Sequence, residues 1–219
     1  MTTRRRWGDE APADNEAARL RLIEAANACV DRFGLAKTTL EDVATEAAVS
    51  RQTIYRYVAN RDELILEALL LELQRAELDH PFEILVEEIQ TPEDVARAVV
   101  ESVVHTIVTI RETPKLAHLL VAEADSVRST LSGASEALFD HHERELRPWL
   151  EMAQRAGLLR RGLDISETTE WILRMAVSLL TVDGPVQRDA DELRTYLFAD
   201  LAPVLAPAEA TADVPPEGS

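Results

Sequence analysis

Between Ser50 and Arg61 the chain reads SRQTIYRYVANR, with Arg51, Gln52, Thr53, Tyr55 and Tyr57 crowded into one short run. These side chains carry no catalytic chemistry together. They are hydrogen-bonding groups suited to a nucleic acid. Arg pairs with guanine edges and Gln with adenine edges, while Thr and Tyr reach phosphate oxygens. Other clusters suggest metal chemistry. Glu77 and His80 have the Glu-x-x-His spacing of di-iron bundles, but such a site needs the motif twice. The second candidate, Glu101 with His105, has a different spacing. Asp140-His141-His142-Glu143 offers four donors, but consecutive helical residues point apart. There is no nucleophile motif and no glycine-rich phosphate loop. The expectation is therefore a protein without catalytic residues, resident metal or cofactor. A helical metal enzyme or ligand-storage bundle is the rival reading.

The elements that present the basic run follow from the spacing of apolar and capping residues. Only seven glycines occur among 219 residues, and no strand-like alternation is sustained, so the fold class is all-α. The pattern predicts about nine helices. The first spans 16–33, with Gly34 ending it. Thr39, followed by Asp42, caps a short helix to Ala47. Ser50 caps a helix from Arg51 to Val58, and Asn60 caps a long one to Leu78. Thr91-Pro92 opens a helix to Ile110 and Pro114 opens one to Ala124, after which 126–133 reads as a loop. A helix over 134–156 contains Pro148. Ser166 caps a helix to Thr181, and Asp189 caps the last, which Pro203 should end.

Charge divides along the same line. Residues 1–61 hold ten Lys and Arg against nine Asp and Glu, a net of +1. The remainder holds thirteen against thirty-one, which brings the chain to −17. A basic face can attract DNA locally, because salt screens charges beyond about 10 Å. The acidic remainder discourages non-specific contact. A single cysteine, Cys29, excludes an intramolecular disulfide. No apolar run is long enough for a membrane span, and MTTRRRWGDE lacks the apolar core of a signal peptide, so the expected compartment is the cytoplasm.

Within 40–58, Val43, Ala47, Val49 and Ile54 fall where two short helices must clasp, with Ala44 small at the crossing. Together with Gly34, Thr39, Ser50, Thr53-Ile54-Tyr55, Tyr57 and Asn60-Arg61-Asp62-Glu63-Leu64, this pattern resembles the DNA-binding domain of the tetracycline-repressor (TetR) family of bacterial regulators. The resemblance covers residues 16–75. It implies a three-helix helix-turn-helix head, a helical ligand-binding and dimerisation body over 80–205, and a homodimer on a double-stranded DNA operator. Residues 1–15 would form a mobile arm, with Arg4-Arg5-Arg6 as a candidate minor-groove contact. Residues 206–219 would be a disordered tail. The resemblance further implies that Thr39 approaches phosphate, that Tyr55 and Arg61 hold the DNA backbone, and that Arg51, Gln52, Thr53 and Tyr57 face the groove. The family usually has glycine where Ala48 stands and often phenylalanine at Val58.

The body carries less signal. Ile172, Leu179, Leu193, Leu197 and Leu201 lie on the apolar stripes of the last two helices, and the resemblance implies a four-helix dimer interface there. His105, His118, Phe139, Trp149, Met152, Trp171 and Met175 are candidates to line a pocket for a small hydrophobic effector.

Overall fold

The computed structural model describes residues 12–79, 89–182 and 184–207. Among these residues there are ten helices and no strand. Arg4 to Arg6, most of the tail and His80 lie outside them, as does the side chain of Glu77.

Helix α1 (Asn15–Phe33) begins where the Asp14 carboxylate accepts the Ala17 amide at 2.8 Å. It ends at Gly34, whose φ of +82° is open to glycine at little cost. Thr39 and Asp42 cap α2 (Leu40–Glu46) reciprocally, so two otherwise orphaned amides are satisfied. Helix α3 (Arg51–Ile54) is shorter than expected. Beyond Ile54 the chain continues as turns, with the amides of Arg56 and Tyr57 reaching only three residues back. Helix α4 (Arg61–Asp79) starts at Asn60, whose side chain accepts the Glu63 amide at 2.8 Å.

Thr91 and Asp94 open α5 (Pro92–Glu112), and Pro114 opens α6 (Pro114–Ala122). The expected loop over 126–133 is instead α7 (Ala124–Gly133). Its polar sequence hid an amphipathic turn that buries Val127 and Thr130. Helix α8 (Ser135–Arg155) runs through Pro148, and α9 (Ile165–Thr181) is capped by Asp164 rather than Ser166. Ser166 bonds the Glu143 carboxylate instead. Helix α10 (Ala190–Leu205) passes through Pro203, which lies two residues from its end. Its amide deficit there leaves one carbonyl without a helical partner, a smaller disruption than in a helix interior.

The chain forms two compact units. The first comprises Met1–Pro81, Ile107–His141 and Val177–Asp183. Its core joins Leu22, Ala26 and Val30 of α1, Val43 and Ala44 of α2, Ile54 of α3, and Leu64, Ile65 and Ala68 of α4. Leu119 of α6 and Val127 of α7 belong to that same core. The core around the reading head therefore extends beyond residues 16–75. Cys29 is buried in it, and burial, with Glu46 and Asp42 nearby, pushes its thiol up from the ordinary range.

The second unit comprises Phe82–Thr106, His142–Ala176 and Gly184–Ser219. Val100, Val104, Leu150, Ile172, Leu193, Leu197, Leu201 and Leu205 are buried in it. Arg194 of α10 grips both Glu101 carboxylate oxygens of α5 at 2.7 Å. This bidentate pairing fixes α10 against α5.

Candidate nucleic-acid interface

The turn between α2 and α3 is built on tight backbone bonds. The Ala47 amide reaches the Val43 carbonyl at 2.9 Å and the Val49 amide reaches the Ala44 carbonyl at 2.9 Å. Ala48 closes it at φ +55°, in the left-handed region. That is the position where the resembled family has glycine, and it explains the preference. An alanine here carries a penalty of about 1 kcal/mol or somewhat more. Val43, Ala44, Ala47, Ile54 and Val58 are all buried, so the two helices clasp as the spacing predicted.

With Ile54 turned inward, Arg51, Gln52, Tyr55 and Arg56 are exposed. Thr53 is not. It is 4% exposed, and its hydroxyl lies 2.9 Å from that of Ser50. The expected groove-facing role for Thr53 is corrected: one residue before Ile54 on so tight a turn, it completes the cap. Tyr57 is half-buried against the head core, and its carbonyl accepts from Arg19 at 2.6 Å. Arg56 was part of the basic run but received no role from the sequence. Its position two residues beyond the buried Ile54 was the available signal.

Arg61 also departs from expectation. Its Nε donates to the Thr38 carbonyl at 2.7 Å, and its guanidinium also donates to the Leu35 carbonyl and, at 2.6 Å, to Asp62. These bonds engage three of the guanidinium's five N–H groups and hold the loop between α1 and α2. Thr39 is similarly engaged. Its hydroxyl donates to Asp42 at 2.6 Å and its amide to the same oxygen at 2.9 Å. Those bonds hold the Asp42 carboxyl below the usual range, the hydroxyl more than the amide. Thr39 sets the start of α2, and a phosphate would have to displace Asp42 to take its proton. Lys37, exposed in the same loop, is a cation the sequence reading passed over.

The remaining candidates are distributed differently from the expectation. Ile172, Leu193, Leu197 and Leu201 are at most 2% exposed in the single chain, so they are core and not a dimer interface. Helical spacing marks a stripe for burial but does not say what covers it. Leu179 is half-buried. Among the pocket candidates, His118, Met152 and Trp171 are exposed. His105, Phe139, Trp149 and Met175 are half-buried, with Phe139 in the first unit and the other three in the second. Glu143 of the acidic-histidine run bonds Arg147 and Ser166. Among the described residues, no group of three or more His, Cys, Asp and Glu side chains could hold a metal ion. None of the described helices is long and apolar enough to cross a membrane.

A short helix clasped on a second, with cationic and amide side chains on its outer surface, defines a helix-turn-helix DNA-binding head. Residues 22–68 match the family described as bacterial regulatory proteins, tetR family. The chain is 27% identical over 202 residues to an uncharacterized HTH-type transcriptional regulator of Mycobacterium tuberculosis, covering 90% of each protein. It is 39% identical over 66 residues to an HTH-type transcriptional repressor of Streptomyces coelicolor, covering 29% of this chain and 34% of that one. Among solved structures it resembles RolR, crystallised with resorcinol, with a TM-score of 0.52 at 14% identity, covering 87% of this chain and 88% of that one. Residues 22–68 thus carry a tetR-family helix-turn-helix region, and the chain is similar over nearly its whole length to an HTH-type transcriptional regulator.

Proposed function

We propose that the protein is a ligand-responsive repressor that binds a pseudo-palindromic operator as a homodimer in the cytoplasm, without enzymatic activity. The observation that carries this reading is the outer surface of α3 and the turn that follows it, where Arg51, Gln52, Tyr55 and Arg56 are exposed while Thr53 and Ile54 anchor the helix. Gln52 reads a base edge, and Tyr55 and Arg56 contact phosphate. Arg51 serves either.

A four-residue helix makes too few contacts for specific binding alone. Two copies on mirrored half-sites roughly add their free energies. The dimer surface would include Trp171, which is 42% exposed and gains from being covered. A small hydrophobic effector bound to the body would favour a dimer state whose heads no longer fit adjacent major grooves, and operator and effector would weaken each other reciprocally. The half-buried Trp149 and Met175 are the apolar candidates to meet it.

Selection of bound fragments from genomic DNA tests this reading. Mirrored half-sites, bound with steep salt dependence, are the expected result. Absence of salt-dependent duplex binding, with stoichiometric metal in the purified protein, would favour the metal-bundle alternative.

A further inference from the structure

Lys115, Leu119 and Glu123 lie four residues apart along α6 and its C-terminal boundary, a spacing that stacks them on one face. Each engages the reading head. Lys115 Nζ lies 2.8 Å from Asp31 and 3.3 Å from Asn27 of α1, and 3.4 Å from Glu72 of α4. Leu119 is buried in the head core. Glu123, in the break between α6 and α7, accepts the amide of Leu35 at 3.1 Å and that of Ala36 at 2.8 Å.

The Glu123 carboxylate therefore holds the loop that leads into α2. The same loop is held from its carbonyl side by Arg61, through Leu35 and Thr38. Gly34 lets the carboxylate in: a Cβ there would sit 2.9 Å from Glu123 Oε1, and φ is +82°. At the other end of α7, Gly133 leaves no room for a side chain beside Asp62, the residue after Arg61. Both grips on the loop are thus adjoined by the α6–α7 segment.

We propose that Glu123 is a positioning residue for operator recognition. It fixes the loop that carries Lys37 and Thr39. This rests on the operator-binding reading above. Its sign opposes simple electrostatics. Removing a carboxylate from a protein of net charge −17 should tighten binding to a polyanion, whereas loss of this grip should weaken it.

The test compares full-length wild type, Glu123→Gln, Glu123→Ala and Asp125→Asn. Asp125 supplies the same charge change as Glu123→Gln at a residue whose side chain is 96% exposed. Each protein is titrated across a salt series against a duplex selected with wild type, and amide exchange is followed at Leu35 and Ala36. Glu123→Ala should bind on the order of tenfold more weakly. Its salt slope should match wild type, because no phosphate contact is lost. Exchange at the two amides should accelerate. Glu123→Gln, which keeps a neutral acceptor, should fall between, and Asp125→Asn should bind no more weakly than wild type. If Glu123→Ala fails to fold, the glutamine variant carries the same expectations at smaller size. Wild-type or tighter affinity in the Glu123 variants, a reduced salt slope, or unaltered exchange at Leu35 and Ala36 would overturn the proposal. Wild type that binds no duplex would overturn the operator reading and the proposal with it, while the exchange data would still report whether Glu123 holds the loop.

Discussion

Arg51 donates a hydrogen bond to the Tyr55 hydroxyl at 3.0 Å, and its guanidinium carbon lies 5.6 Å from the Tyr55 ring centroid. The two residues are one helical turn apart on the exposed side of α3. That contact raises the Arg51 pKa further above its ordinary value, the hydrogen bond contributing most. Its larger consequence is steric: Arg51 and Tyr55 hold each other in place. On the proposed operator reading, a DNA duplex would meet a partly ordered pair, and less side-chain freedom would be lost on binding.

Gln52 stands beside this pair, exposed in the first turn. Gln52→Ala is expected to cost about 1–3 kcal/mol on the preferred operator and much less on operators changed at one mirrored pair of positions. Binding selections with both proteins check this. Identical sequence preferences would assign specificity to Arg51, Tyr57 or DNA shape instead.

Arg61→Ala should lower stability rather than remove a DNA contact. Two carbonyls, of Leu35 and Thr38, lose a charged donor, and hydrogen bonds to charged groups contribute roughly 1.5–3 kcal/mol each. A loss of about 2–3 kcal/mol is expected, less than the sum because the side chain is 30% exposed and water can replace part of the bonding; denaturant unfolding measures it, with the salt slope of DNA binding unchanged. A slope reduced by about one would return Arg61 to the phosphate backbone.

Leu197→Glu and Trp171→Glu should separate core from interface. Leu197 is 0% exposed, so a carboxylate there should unfold the chain or cost several kcal/mol. Trp171→Glu should leave the melting temperature within a few degrees and yield monomers in sedimentation. A Trp171→Glu dimer would move the two-fold contact to another surface.

The pair of Glu101 and Arg194 should make stability depend on pH. The Arg194 hydrogen bond, opposed in part by burial, holds the Glu101 carboxyl below its ordinary value of 4.5. A depressed folded pKa means that the unfolded chain takes up the proton first. The contribution is therefore fully present above about pH 4.5 and is lost as pH falls through the lower, folded value. Glu101→Gln should melt below wild type at neutral pH, and the gap should close as the solution is acidified beneath that range. A constant gap in thermal melts down to pH 3 would show that the pair contributes nothing through charge.

What the sequence by itself determined is local. Caps at Thr39, Ser50, Asn60 and Asp189 act on amides three residues away, so their types and spacing were sufficient. The clasp of Val43, Ala44, Ala47 and Ile54 was legible for the same reason, since a tight turn leaves few ways to pack two short helices. Tertiary structure decided everything that depends on a distant partner. Leu193, Leu197 and Leu201 form a stripe that could cover a second copy or this chain's own core, and only the fold shows them buried at home. Arg61 could reach outward to phosphate or inward to Leu35 and Thr38, and a guanidinium's sequence position does not choose between them. Glu123 is the clearest case. It lies 88 residues from Leu35, no spacing rule links the two, and only the packing of α6 and α7 against α4 brings its carboxylate to that amide.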